Sequence, residues 1–142
     1  MRQERSASGR SRGSVLLVDD EKMLLEVAAL ALEGAGYSVA TATSAVGLPE
    51  LVRAGTPDVV VLDVGLPGVK GDRALSALRE DLHTRSVRVI LHSGECEEDL
   101  RRLAARSGAD GIVSKGSSLS LLVAEVERAM TTPRPALVAA IA

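Results

Sequence analysis

Short apolar, β-branched runs alternate along this chain with longer stretches whose apolar residues recur at helical spacing. Ser14 to Val18 (SVLLV) stops at Asp19, Asp20 and Glu21, as expected of a strand buried on both faces. Leu24, Val27, Ala28 and Ala31 then mark a first helix, which Gly34 and Gly36 end. Tyr37 to Ala42 reads as strand two, Ser44 to Ala54 as a helix interrupted by Gly47 and Pro49, and Asp58 to Leu62 (DVVVL) as strand three. A glycine-rich loop (Gly65, Pro67, Gly68, Gly71) leads to a helix with Leu75, Leu78 and Leu82 on one face. Val87 to Leu91 is strand four. Leu100, Leu103 and Ala104 mark helix four, with Glu97, Glu98 and Asp99 at its start and Arg101, Arg102 and Arg106 further on, which suits the helix dipole. Gly111 to Val113 is a short strand five. Leu119, Leu122, Val123, Val126 and Met130 make the last helix, capped by Ser117 or Ser118 and ended by Pro133 and Pro135.

Five strands alternating with five helices predict a single α/β domain over residues 14–131, with a parallel sheet covered on both faces by right-handed crossovers. Residues 1–13, rich in Arg, Ser and Gly, are expected to be a disordered tail, either solvated or in weak contact with an anionic partner. Residues 132–142 are expected to be a C-terminal tail, whose apolar part Ala136 to Ala142 either frays or docks on a partner.

In an open α/β sheet, ligands bind at the carboxyl ends of the strands. Each of those ends except that of strand two carries a polar or ionisable group: Asp19 and Asp20 after strand one, Asp63 after strand three, His92 and Ser93 after strand four, Ser114 and Lys115 after strand five. Three carboxylates on one rim repel each other unless a hard cation sits among them. Oxygen donors with room for water suit Mg²⁺, which commonly bridges to a phosphate. Lys115 can meet a carboxylate or phosphoryl oxygen as a point charge, and Ser93 offers a hydroxyl. Together these parts suit phosphoryl transfer onto a carboxylate, where positioning and charge neutralisation supply most of the catalysis.

Composition narrows the alternatives. Among 142 residues the formal net charge is −2, so no field across the whole molecule favours nucleic acid or membrane, and neither direct nucleic-acid binding nor membrane insertion is expected. The one cysteine, Cys96, has no intramolecular partner, and no apolar run precedes Val15, so a cytoplasmic protein is expected. Tyr37 is the only aromatic residue, which leaves the core to Val, Leu, Ile, Ala and Met.

In four separated places the sequence resembles the receiver domains of response regulators: VLLVDDE (Val15 to Glu21), VVVLDVGLPGVKG (Val59 to Gly71), ILHSGE (Ile90 to Glu95) and VSKG (Val113 to Gly116). The resemblance implies a flavodoxin-like, doubly wound five-stranded sheet in the order 2-1-3-4-5. It implies that Asp63 is the phosphoacceptor, that Asp20 binds Mg²⁺ directly and Asp19 mostly through water, and that the Gly65 carbonyl completes the metal shell. Ser93 is then the switch hydroxyl and Lys115 the lysine that contacts the phosphoryl group. The implied donor is a phosphohistidine on a sensor histidine kinase or phosphotransfer protein, and the output is altered binding of a downstream protein that the sequence does not identify. Related families dimerise through helix four, strand five and helix five. Ile112 stands where the family usually has Tyr or Phe, and Gly116 where it usually has proline, so a trans peptide is expected there.

Three functions compete at this point. The first is a stand-alone receiver, phosphorylated and dephosphorylated by its own chemistry and not otherwise an enzyme, since only residues 132–142 follow helix five. The second is a phosphorylation-independent adaptor with an atypical switch, suggested by Ile112 and Gly116. The third is an aspartyl-nucleophile phosphatase, against which Gly65 stands where such enzymes place a second acid.

Overall fold

The computed structural model describes residues 11–66, 68 and 70–132. β1 (Ser14–Val18), β2 (Ser38–Ala42), β3 (Val59–Asp63), β4 (Arg88–Ser93) and β5 (Gly111–Ser114) form one parallel sheet in the order β2-β1-β3-β4-β5. Between and after them run α1 (Lys22–Gly34), α2 (Leu48–Gly55), α3 (Gly71–Glu80), α4 (Glu97–Ser107) and α5 (Leu119–Thr131). This is the flavodoxin-like, doubly wound arrangement.

Alternation along the strands divides the core in two. Val15, Leu17, Val59, Val61, Ile90 and Val113 pack with residues of α1 and α5. Leu16, Val18, Val60, Leu62, Val89 and Leu91 pack on the other face with residues of α2, α3 and α4. Leu32, Leu75, Leu100 and Leu122 are almost wholly buried, and each such side chain contributes roughly 1.5–3 kcal/mol by leaving water. Tertiary packing of these stripes, more than intrinsic propensity, therefore holds the helices.

Several boundaries differ from the sequence reading. α2 begins at Leu48, not Ser44: Ser44 Oγ accepts from the Val46 amide at 3.1 Å, Gly47 is left-handed (φ 73°), and Pro49 falls in the first turn, where its missing N–H costs nothing. The buried stripe of α1 is Leu25, Ala28, Ala29 and Leu32, so Leu24, Val27 and Ala31 lie to one side and Val27 is exposed. Leu82 is exposed as well. α3 stops at Glu80, and Thr84 instead enters the core, its hydroxyl donating to the Leu78 carbonyl at 2.7 Å. Ser118, not Ser117, caps α5.

The expected N-terminal tail also needs correction at its end. Arg12 donates to the Ala35 carbonyl, lies 3.2 Å from Glu127 and stacks over the Tyr37 ring at 5.1 Å, so the chain is anchored just before β1. Residues 1–10, and the apolar stretch Ala136 to Ala142, lie outside the described residues.

Candidate functional site at the carboxyl edge of the sheet

Parity and register bring the site together. Asp19 continues β1, its amide donating to the Ala42 carbonyl at 3.1 Å, and Asp63 ends β3. Lys115 follows β5, pinned by its amide to the Ser93 carbonyl at 2.8 Å. Counting alternate positions from Val15, Val59 and Val113 places all three on the α1 and α5 side of the sheet. The strands need no further distortion to make them meet.

They do meet. Lys115 Nζ lies 2.9 Å from Asp19 Oδ2, 3.2 Å from Asp63 Oδ2 and 3.2 Å from Glu21 Oε1. Burial alone would push the lysine pKa down, but Asp19, Glu21 and Asp63 outweigh it and hold the pKa above the usual lysine value, so the ammonium stays charged. The Asp63 carboxylate is held at both oxygens, because its Oδ1 accepts from the Gly65 amide at 3.0 Å. Asp19 Oδ1 likewise accepts from the Glu21 amide at 2.9 Å.

The loop after Asp63 is shaped by a close approach. The Gly71 amide donates to the Val64 carbonyl, and a Cβ on Gly71 would stand 2.7 Å from Val64 Cα. Only glycine lets α3 begin so near the phosphoacceptor candidate.

One cation faces three carboxylates here, and buried Asp19 Oδ2 has no aligned hydrogen-bond donor despite the nearby ammonium. Asp19, Asp20 and Glu21 each offer an oxygen within 4.8 Å of the others. Three carboxylates around one ammonium leave an excess of hard oxygen donors, which fits a divalent cation such as Mg²⁺.

Two sequence candidates stand apart from this contact set. Ser93 is buried but has the opposite parity, with Val89 and Leu91, and its Oγ accepts from the Glu95 amide at 3.1 Å. Asp20 is exposed, within the acidic group but not on Lys115. His92, which alternation turns away from Ser93, is thereby on the face of Asp63, its register partner across β3 and β4. Burial, and then the Lys115 charge, lower its pKa below the usual histidine value, so the imidazole is neutral.

Glu21 is the residue that sequence reasoning passed over as a partner of Lys115. Its position immediately after two aspartates was the available signal; its reach across to a lysine far along the chain was not. Ile112 is half-buried against the α4 side of the core, and Cys96 is exposed at the start of α4. No helix among the described residues is long and apolar enough to cross a membrane.

A family model described as the response regulator receiver domain matches residues 15–127. The phosphate regulon transcriptional regulatory protein PhoB of Pseudomonas aeruginosa is 31% identical over 122 residues, covering 86% of this chain and 53% of that protein. The transcriptional regulatory protein KdpE of Mycobacterium tuberculosis is 33% identical over 116 residues, 82% of this chain and 50% of its own length. The chain thus spans about half the length of these curated relatives. Among solved structures, the chemotaxis response regulator CheY4 of Vibrio cholerae superposes with a TM-score of 0.76 at 23% identity, over 82% of this chain and 98% of that one. A CheY-like receiver domain protein of Methanospirillum hungatei gives 0.75 at 21% identity, over 84% and 94%. These two share the fold.

Proposed function

Because the chain belongs to the response regulator receiver domain family of two-component signalling, we propose that it is a phosphorylation-controlled module in which Asp63 accepts a phosphoryl group from phosphohistidine. The donor is a sensor histidine kinase or a phosphotransfer protein, and the product is an acyl phosphate that alters binding to a downstream protein. The observation that carries this reading is the convergence of Asp19 and Asp63 within 3.2 Å of the Lys115 ammonium nitrogen at the strand ends.

An Asp63 carboxylate oxygen attacks phosphorus, the nitrogen–phosphorus bond of the donor breaks, and the leaving imidazole takes up a proton. Gly65 N–H and Lys115 hold the carboxylate in place beforehand, so little reorganisation is needed at the moment of transfer. Lys115 then offers its charge to the phosphoryl oxygens, and the Ser93 hydroxyl, on leaving the Glu95 amide, can turn toward them. Asp19, Asp20, Asp63 and the Gly65 carbonyl would hold Mg²⁺. When bound, the ion neutralises charge on the transferring group. The domain is a signalling element whose own chemistry is confined to gaining and losing this phosphoryl group. We place it in the cytoplasm, where the kinase's transmitter would reach it, with α4, β5 and α5 as the face available for self-association.

Acetyl phosphate with Mg²⁺ should add one phosphoryl group, read by intact mass, and Asp63→Asn should abolish the addition completely. Label persisting in Asp63→Asn refutes the assignment. A second reading, an adaptor indifferent to phosphate, is favoured by Ile112, which offers no aromatic ring to rotate with the switch. Partner binding that is unchanged by beryllofluoride would select it.

A further inference from the structure

α1 carries two apolar sides. Leu25, Ala28, Ala29 and Leu32 pack with the strands and α5, whereas Met23, Val27 and Leu30 recur at helical spacing on the opposite side, in water. Met23 is 80% exposed, Leu30 60% and Val27 43%. Val46, Leu82 and Leu121 are exposed as well, but each stands on a different stretch of chain, and scattered apolar residues are ordinary on a surface. Met23, Val27 and Leu30 instead form one seam, about 10 Å long from the helical rise. A helix that is apolar on every side is ordinarily covered on every side.

The chain holds a segment of matching chemistry beside this seam. Ala136 to Ala142 (ALVAAIA) carries no polar or charged side chain. In a parallel sheet α1 and α5 both run from the carboxyl edge of the strands to the amino edge, so they end at the same side of the domain. Arg12 joins the two ends: it donates to the Ala35 carbonyl directly after α1 and meets Glu127, near the end of α5. Pro133 to Pro135 span up to about 10 Å when extended, and the apolar residues after them up to about 23 Å more. That is enough chain to cross from the end of α5 to Leu30 and follow the seam to Met23.

A cleft of about 630 Å³ at the amino edge lies near the same exit, and Arg88, which lines it, donates to the Thr132 carbonyl at 2.9 Å. Its apolar walls are already nearly dry, since Val52 is 4% exposed and Val87 9%. Burial stabilises in proportion to the apolar area taken out of water, so the seam on α1 has far more to gain than the cleft. We propose that the apolar segment Ala136 to Ala142 packs on Met23, Val27 and Leu30, as an intramolecular cover for the outer side of α1. The contact is independent of the chemistry at Asp63.

The test uses the full chain with Cys96→Ser, which removes the one cysteine, and Ala142→Cys carrying a nitroxide spin label. Methyl NMR signals are compared before and after the label is reduced. Those of Met23, Val27 and Leu30 should lose most of their intensity to the active label, while those of Leu75 and Leu103, across the sheet on α3 and α4, keep theirs. Val27→Lys sets a charge in the middle of the seam at an exposed position, and should restore the Met23 and Leu30 signals. Loss at Val52 and Val87 in place of Met23 overturns the proposal in favour of the cleft. An even, slight loss at every exposed methyl, the mark of a segment that stays in water, overturns it too, as does a loss at Met23 that Val27→Lys leaves unchanged. Spin-labelled chains mixed with isotopically enriched chains that lack the label should leave Met23 unaffected; broadening there overturns the proposal and makes the seam a contact between two copies.

Discussion

Arg79 and Lys115 are both cations set into the half-buried margin of the sheet, and their surroundings are built on opposite principles. Arg79 Nη1 donates to the carbonyls of Arg85 and Val87 at 3.0 and 2.6 Å; Nη2 donates to the Gly108 carbonyl at 3.2 Å and to Asp110 Oδ2 at 3.0 Å. The same Asp110 oxygen accepts from the Val89 amide at 2.8 Å. These contacts set the guanidinium against the Asp110 carboxylate and three backbone carbonyls. Around Lys115, three carboxylates face one ammonium, and buried Asp19 Oδ2 has no aligned donor. A polar cluster that serves stability balances its charges and fills its hydrogen bonds; one that serves chemistry leaves a deficit for a ligand to fill.

The largest effect should come from breaking the balanced cluster. Arg79→Ala leaves the Asp110 carboxylate poorly compensated and several carbonyls without their donor, and should cost about 2–3 kcal/mol. The urea midpoint should fall accordingly with an unchanged slope. Arg79→Lys should recover only part of the loss, because a single ammonium cannot fork among four partners on two chain segments. A loss well under about 1 kcal/mol would mean that the two clusters do not differ as argued.

The deficit at Lys115 should show itself next. Mg²⁺ at ten times its Kd should stabilise the parent chain by about 1.4 kcal/mol, as binding to the folded state alone requires. Asp19→Asn should lose most of that gain, yet be at least as stable as the parent in chelator, since it removes one of three mutually repelling charges. Thermal melts with Mg²⁺ and with EDTA check both halves. A parent chain indifferent to Mg²⁺, or an Asp19→Asn chain much weaker in EDTA, would make the cluster a structural one like that of Arg79.

The difference between the clusters also decides what the sequence could reveal. Asp19, Asp63 and Lys115 were legible because each stands at the end of an apolar run, where a charge has no structural reason to be, and because parallel topology gathers such ends on one rim. The strand order itself came through the resemblance to receivers, whereas the alternating strands and helices were visible in the spacing of Val, Leu and Ile. Arg79 was invisible by the same logic. An arginine near the end of an amphipathic helix looks solvated, and its carbonyl partners near Arg85, Val87 and Gly108 exist only once α3, β4 and β5 are packed. The phase of α1 was misjudged for a related reason: Leu24, Leu25, Val27, Ala28, Ala29, Leu30 and Ala31 are apolar nearly all round, so periodicity alone did not choose the buried side.

His92 gives the smallest effect and the sharpest question, since it borders the deficit cluster without being bonded into it. Its register partner is Asp63, and its ring abuts the small space lined by Leu17, Asp19, Leu25 and Ala28. Burial lowers its folded pKa below the ordinary value of 6.5, so the unfolded chain binds more protons than the folded one as pH falls past that value. The contribution to stability is therefore fully present above pH 6.5 and is lost as the pH drops toward the folded pKa. The urea midpoint of the parent chain should decline between neutral pH and mildly acid pH, before the carboxylates titrate, and His92→Leu should flatten that decline. Mg²⁺ should deepen it, because a dication beside Asp19 and Asp63 opposes a charged imidazole further. A slope that His92→Leu leaves untouched would assign the pH dependence to the carboxylates around Lys115, and would place His92 with the inert core of α1 and α5 instead of with the site.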